Sequence, residues 1–340
     1  MELEFLGTSS GTPTRTRNVA GLALRMDGKG SGWALVDCGE GTQHRILRTA
    51  LTLHQLRAIF ITHLHGDHCY GLPGLLASAG LLNRSERLFI VGPRPLERYL
   101  QGVMETTELA LPYPLTFVPV EELDGTDVLP DLTVRATELS HRMRSFAYTF
   151  TEKEVERRLD ASKLAAAGVP RGPAWGLLQK GEDITLDDGR TVRPAEVLLP
   201  GRRPRRVIVA GDNDRPGLLA EAAIDADVLV HEATYTEPIL AKVGPAPQHS
   251  SAQMVARFAE TAALPNLVLT HFSPRYQDHH GPLTLADVAA EARAAYTGRL
   301  FLARDLARFA LDRQGRLEEV TPPRAAPPPR QGTAGDAAEA

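Results

Sequence analysis

The sequence has 340 residues, 43% of them hydrophobic, which is enough to bury a sizeable core in one large domain or two ordinary ones. No run approaches the roughly 18 to 20 consecutive apolar residues of a membrane span, and residues 1–5 lack the basic and apolar regions of a signal peptide. Two cysteines, Cys38 and Cys69, are too few for a disulfide framework. A cytoplasmic protein is therefore expected.

The formal net charge of −4 does not favour a nucleic-acid partner, but the charge is unevenly distributed. Residues 142–206 contain 14 Lys and Arg against 9 Asp and Glu, so this segment is basic and the remainder is acidic. Within it, four arginines between positions 202 and 206 surround a proline. Such a cluster is either a solvated surface or a binding site.

Strands and helices are predicted to alternate along the chain. Six short apolar runs, each ending in a polar or glycine-rich turn, have the composition of buried strands. They are residues 3–6, 33–36, 58–61, 207–210, 228–230 and 267–269. Helical character appears at residues 72–82, 250–263 and 285–296. The alternation predicts a layered α/β fold for residues 1–320.

The alternating pattern breaks between residues 151 and 206, which indicates an insertion that projects from the core. A helix is predicted at residues 152–159, before a stretch rich in glycine and proline and a polar turn at 187–189. From about residue 321 the composition cannot bury enough apolar area to offset the entropy lost on ordering. Disorder is therefore predicted for residues 321–340.

A cluster of metal-binding residue types, with the sequence HLHGDH, occupies residues 63–68 directly after a predicted strand. In an extended chain, residues two apart point to the same side, so His63 and His65 can bind one ion. The following glycine lets the chain turn, which directs Asp67 and His68 toward a second ion. The cluster predicts a binuclear site.

Three further candidates, His141, Asp212 and His271, each lie just past a predicted strand. Strand ends that face one rim are where sites are built in α/β proteins. With Asp212 as a bridge, the first ion has His63, His65, His141 and Asp212, and the second has Asp67, His68, His271 and Asp212. Imidazole and carboxylate ligands without thiolate favour zinc, with manganese, iron or cobalt as alternatives.

The H-x-H-x-D-H pattern of residues 63–68 resembles the signature of the metallo-β-lactamase superfamily, which implies an αββα sandwich. More local motifs resemble those of the ribonuclease Z family up to about residue 312. They are Phe5-Leu6-Gly7-Thr8, Arg17-Asn18, residues 37–43, His231-Glu232-Ala233-Thr234, His249-Ser250-Ser251-Ala252 and residues 270–276. Residues 168–177 resemble the flexible arm with which that family binds the body of tRNA.

The resemblance implies a zinc-dependent endoribonuclease with two zinc ions per subunit. Such an enzyme removes the 3′ trailer from precursor tRNA, leaving a 3′ hydroxyl on the tRNA and a 5′ phosphate on the trailer. Asp67 would ligate the second metal and accept the proton of the nucleophile. His249 is the candidate general acid for the leaving ribose oxygen, with Glu232 orienting its ring.

The resemblance also implies contacts with RNA and between subunits. Arg17 and Asn18 are expected to contact the 3′ end of the RNA, and Gly172 and Pro173 are expected to bind it from the arm. A homodimer is implied in which the arm of one subunit serves the site of the other.

The chain departs from the family pattern at residues 211–216, which read Gly-Asp-Asn-Asp-Arg-Pro. The family usually has Gly-Asp-Thr followed directly by Arg-Pro. Asp214 therefore competes with Asp212 as the bridging ligand, although Asp212 directly follows the glycine as the pattern requires. Ser251 replaces a commoner threonine and keeps the hydroxyl.

Two other classes of function use similar residues. A small-molecule hydrolase or cyclic-nucleotide diesterase would bind the same metals but would not need an RNA-binding arm, so the insertion at 151–206 argues against it. An RNA-binding or scaffold protein with structural metals would need a closed, water-free set of ligands. The complete hydrolytic set disfavours that alternative.

Overall fold

In the computed structural model, two β-sheets pack face to face, and helices cover the outer side of each sheet. The structure describes residues 1–26, 32–153, 155, 158–199, 201–278 and 280–320. The strands are β1 (Glu2–Gly7), β2 (Gly21–Arg25), β3 (Trp33–Val36), β4 (Leu56–Phe60), β5 (Leu88–Gly92), β6 (Leu115–Pro119), β7 (Leu132–Leu139), β8 (Ser145–Glu152), β9 (Ile184–Thr185), β10 (Thr191–Val192), β11 (Arg206–Ala210), β12 (Val228–Glu232), β13 (Asn266–Thr270), β14 (Arg299–Leu302), β15 (Arg308–Leu311) and β16 (Leu317–Val320). The helices are α1 (Thr42–Ile46), α2 (Gly66–Cys69), α3 (Leu72–Leu81), α4 (Pro95–Thr106), α5 (Ala161–Ala166), α6 (Pro173–Lys180), α7 (Pro194–Val197), α8 (Glu237–Val243), α9 (Ala252–Thr261) and α10 (Leu285–Arg293).

Each large sheet combines a parallel half with an antiparallel half. The first sheet has the order β16-β15-β1-β2-β3-β4-β5-β6, and β3 to β6 are parallel. The second has the order β14-β13-β12-β11-β8-β7, in which β11 to β14 are parallel and β7 and β8 form an antiparallel pair. The predicted layered α/β fold is confirmed, as are all six predicted strands and the three predicted helices, with bounds that differ by a few residues.

Alternate residues of the central strands face different layers, because side chains in a strand point to opposite sides. On β11, Val207 and Val209 lie in the core between the sheets, whereas Ile208 packs with the helices on the outer side. On the first sheet, Ile59 packs outward with Leu72 of α3. Strands buried on both faces explain why these segments appear in the sequence as continuous apolar runs.

The insertion leaves and re-enters the second sheet between neighbouring strands, since Thr151 of β8 pairs with Arg206 of β11. We call residues 158–199 the arm. It contains α5 to α7, a two-stranded ribbon of β9 and β10, and its own apolar cluster. The buried members of that cluster are Leu164, Val169, Leu178, Ile184, Val192 and Val197.

The helix predicted at residues 152–159 is wrong. Glu152 is the last residue of β8, and Leu159 forms an isolated bridge with Leu198. Pairing of Glu152 with Leu132 across the sheet continues the strand through the point where the sequence predicted a helix. Residues 154 and 156–157 of that segment, and the whole tail at 321–340, lie outside the described residues.

Ion pairs account for most of the arginine cluster at the base of the arm. Arg202 and Arg205 both bind the buried carboxylate of Glu152, with an Arg205 Nη2 to Oε1 distance of 2.6 Å. Arg203 binds Asp227 at 2.5 Å. These arginines therefore join the ends of β8, β11 and β12.

Among the described ranges, no helix is long and apolar enough to cross a membrane.

Candidate metal centre and active site

The candidate site lies where strands of both sheets end at one edge of the sandwich. His63 follows β4, Asp212 follows β11, Glu232 ends β12 and His271 follows β13. The turn with His141 reaches the same edge, because β8 runs antiparallel to β11. Fold topology thus brings together residues that are far apart in the sequence.

The first group of potential ligands consists of His63, His65, His141 and Asp212. His65 Nδ1 lies 3.1 Å from both His63 Nε2 and His141 Nε2. Asp212 Oδ2 lies 3.7 Å from His63 Nε2 and 3.8 Å from His141 Nε2. The four donor atoms therefore surround one point.

The second group consists of Asp67, His68 and His271, with the other oxygen of Asp212 facing it. His68 Nε2 and His271 Nε2 are 3.2 Å apart and lie 3.5 and 3.3 Å from Asp67 Oδ2. Asp212 Oδ1 is 3.5 Å from His68 Nε2 and 3.4 Å from His271 Nε2. The two oxygens of Asp212 thus face different groups.

These separations fit divalent metal ions. Ligand atoms about 2.1 Å from a tetrahedral zinc ion are about 3.4 Å from one another, and the separations in both groups lie close to that value. Asp214 belongs to neither group, and its backbone N–H donates to Ser140 O. The donor set suits a divalent metal, and its geometry favours Asp212 over Asp214 as the shared ligand.

The protonation of the first group also suits a metal. Burial, followed by the charge of neighbouring imidazoles, holds the pKa of His63 well below its ordinary value. Burial likewise lowers the pKa of His65 and His141. These rings are therefore neutral near pH 7, which is the form that binds metals.

Beside the two groups, His249 and Glu232 form a buried pair, with His249 Nδ1 2.9 Å from Glu232 Oε1. Burial opposes charge on His249, but the carboxylate of Glu232 outweighs it and raises the histidine pKa to about 9. Conversely, His249 outweighs the effect of burial on Glu232 and holds the pKa of that carboxyl below its ordinary value. The pair is therefore an imidazolium and a carboxylate at neutral pH.

The loop at residues 8–18 lies against the second group, and the backbone N–H of Gly11 donates to Asp67 Oδ2 at 2.7 Å. Arg17 is buried in this loop, where its guanidinium donates to Tyr276 O and Asp278. Asn18 Nδ2 donates to Glu40 O. Both side chains thus have partners within the protein, and neither belongs to the two ligand groups.

Gly172 and Pro173 lie in the arm, at the start of α6. The arm is attached at the ends of β8 and β11 that are remote from the site. Neither residue belongs to the ligand groups.

Comparison with known proteins gives matches of two kinds. A family model described as anti-Pycsar protein Apyc1 matches residues 1–154, less than half of the chain. Ribonuclease Z of Marinobacter nauticus is 52% identical over 94% of this chain and 99% of its own length. Ribonuclease Z of a Synechococcus species is 44% identical over 90% of this chain and 94% of its own length. The chain belongs to the ribonuclease Z family.

Solved structures agree with the ribonuclease Z assignment. The short form of human tRNase Z is 25% identical with a TM-score of 0.63, and the match covers 92% of this chain and 100% of that one. The metallo-β-lactamase fold protein YhfI of Bacillus subtilis is 16% identical with a TM-score of 0.60, and the match covers 90% of this chain and 98% of that one. At this identity the match shows the fold alone. The metallo-β-lactamase αββα sandwich and the endoribonuclease class are confirmed.

Asp37 supports the ribonuclease Z site and was not predicted from the sequence as functional. Asp37 accepts from the Nδ1–H of His68 at 2.7 Å and from the backbone N–H and hydroxyl of Thr62 at 2.8 and 2.9 Å. A carboxylate that orients a ligating histidine is common at metal sites. Asp37 lies in the matched motif at 37–43 and directly follows the predicted strand at 33–36. Its position after a strand was the signal in the sequence that could have indicated a place in the site.

Proposed function

We propose that this protein is a zinc-dependent endoribonuclease that removes the 3′ trailer from precursor tRNA. The cut leaves a 3′ hydroxyl on the tRNA and a 5′ phosphate on the trailer. The observation that carries the proposal is the pair of ligand groups sharing Asp212, in a chain 52% identical to a ribonuclease Z and similar in structure to human tRNase Z.

The proposed centre has two zinc ions per subunit, with manganese or another divalent metal as an alternative. One ion is held by His63, His65, His141 and Asp212, and the other by Asp67, His68, His271 and Asp212. When bound, such ions lower the pKa of an attacking water and neutralise charge on the phosphate.

The chain itself supplies the proton transfers. Asp67 belongs to the second group, and its carboxyl pKa is lowered, against the effect of burial, by His68 and His271. It is therefore ionised near neutral pH. Its place in the second ligand group, and not its basicity, supports its proposed role as acceptor of the proton of the nucleophile. His249 donates its Nδ1–H to Glu232, which leaves Nε2 to protonate the leaving ribose oxygen.

Binding of the RNA is proposed to involve the arm and the loop at 8–18. Gly172 and Pro173 of the arm are proposed to contact the tRNA body, in a homodimer where each arm serves the other subunit's site. Arg17 and Asn18 are proposed to contact the 3′ end of the RNA. For Arg17, this requires the guanidinium to replace its hydrogen bonds to Tyr276 O and Asp278 with contacts to the RNA. The proposed compartment is the cytoplasm.

Cleavage of a precursor tRNA by the purified protein tests this proposal. A chelator-treated sample and an Asp67→Ala variant run beside it, and the product ends are mapped. A cut just after the discriminator base, lost in both controls and restored to the treated wild type by zinc or manganese, is expected. Absence of a cut at full metal occupancy would overturn the tRNA assignment in favour of a small phosphodiester.

A further inference from the structure

Asn213 is a fully buried polar residue next to Asp212, at the position where this chain departs from the family's usual Gly-Asp-Thr. Its polar atoms contact three other segments of the chain. The side-chain oxygen accepts from the backbone N–H of Ser140 at 3.3 Å and of Arg215 at 3.1 Å. Because His141 follows Ser140, Asn213 joins the turn with His141 to the loop with Asp212.

The other polar atoms of Asn213 surround Glu232. The backbone N–H of Asn213 donates to Glu232 Oε1 at 2.9 Å, the oxygen that also accepts from His249. The side-chain amide lies 3.1 Å from His231 Nε2, and the Nδ1–H of His231 donates to Glu232 O at 2.8 Å. Glu232 is thus held at its carboxylate by the Asn213 backbone and at its own backbone by the Asn213 side chain, which acts through His231.

The backbone carbonyl of Asn213 completes this set of contacts by accepting from the hydroxyl of Ser250 at 2.6 Å. Ser250 directly follows His249. Asn213 therefore contacts the segments on both sides of the His249–Glu232 pair, and also the turn that places His141.

We propose that Asn213 is a positioning residue that fixes the His249–Glu232 pair relative to the metal-ligand loops. This inference rests on the proposed function, because it assigns His249 the role of protonating the leaving oxygen. It predicts that loss of the Asn213 side chain impairs proton delivery without removing the metals. The turn with His141 keeps two other hydrogen bonds, from the backbone N–H of Asp214 to Ser140 O and from His141 Nδ1–H to Gln248 O. Buried polar groups that lose their hydrogen-bond partner are costly, so the loops that carry them can shift. Small shifts at a reacting centre reduce rates strongly.

A precursor tRNA with sulfur in place of the bridging 3′ oxygen at the cut site tests this role. A thiolate leaves without a proton, so its departure does not need a general acid, whereas an alkoxide does. The variants are Asn213→Leu, which keeps the branched shape of the side chain without its polar atoms, and Asn213→Ala, which removes the side chain beyond Cβ. Metal content and thermal midpoint are measured for each.

Asn266→Leu is the matched control. Asn266 is equally buried and bonds three backbone groups, Asp227 O, Gly315 O and Leu317 N–H, at the opposite end of the same sheet. Its loss should destabilise the fold without changing the ratio of the two rates. This control separates lost positioning from lost stability.

We expect both Asn213 variants to cut the oxygen substrate about 10 to 100-fold more slowly at saturation, with wild-type metal content and a sulfur-substrate rate within about threefold of wild type. Equal losses on both substrates, a loss of metal, or a rate ratio like that of Asn266→Leu would overturn the inference. Failure of the wild type to cut the oxygen substrate would instead overturn the proposed function.

Discussion

The residues of the metal centre come from segments far apart in the chain, whereas the arm is formed by one continuous stretch. His68 and His271 meet only because two sheets pack together, and buried hydrogen bonds such as those of Asp37 and Asn213 join the loops around the site. The arm has short helices and its own small apolar cluster, attached by paired strand ends. Displacement of a metal ligand thus requires a change in the sandwich, whereas the arm can change without it.

The largest effect is expected at the residue that both ligand groups share. Asp212→Asn leaves one oxygen and an amide where two carboxylate oxygens face the two groups, so cleavage of precursor tRNA should fall on the order of 10³-fold or more. Metal content, measured on the same sample, should fall as well. Asp214→Asn is the matched control, since Asp214 belongs to neither group. A larger loss in the control would assign the bridge to Asp214.

A somewhat smaller loss of activity is expected when the buried His249–Glu232 pair beside the ligand groups is broken. His249→Ala removes the candidate acid, and kcat for precursor tRNA should fall about 10² to 10⁴-fold while metal content stays at the wild-type level. Steady-state kinetics with metal analysis measures both. If the variant lost its metals, His249 would be a ligand, a role that its position near Asp212 and His271 makes worth testing.

The sequence predicted the candidate ligands because their spacing is local or follows strand ends. Residues 63–68 are consecutive, so their side chains are close together wherever the chain turns after the strand. His141, Asp212 and His271 follow apolar runs that form strands. The supporting contacts of Asn213 and Asp37 could not be predicted in the same way. They depend on which loops meet at the edge of the sandwich, and that follows from the packing of the two sheets.

Replacement of the arm tests whether substrate binding can be separated from chemistry. In a variant with residues 161–196 replaced by a short glycine–serine linker, KM for precursor tRNA should rise about tenfold or more, because phosphate contacts outside the site are lost. Hydrolysis of bis(p-nitrophenyl) phosphate should stay near the wild-type rate. Unchanged KM for the RNA would show that the arm does not bind it.

Sequence-based prediction of structure failed at the segment that leads into the arm. The helix predicted at 152–159 is absent from the described part of that segment, because pairing with β7 extends β8 to Glu152. The partners that hold Glu152, Arg202 and Arg205, lie some fifty residues later in the chain. Helical composition is a local signal and does not register such distant partners.

The smallest effect is expected at Glu152, where the arm meets the sandwich. Burial opposes its charge, but hydrogen bonds from Arg202 and Arg205 lower the pKa to about 2, below the ordinary value of 4.5. Its contribution to stability is therefore present above the ordinary pKa and is lost as the pH falls toward 2. Between about pH 5 and about pH 3, the free energy of unfolding should decrease by about 2 kcal/mol more in the wild type than in Glu152→Gln. Urea unfolding across that range measures the difference, and parallel curves would show that the carboxylate contributes nothing to the junction.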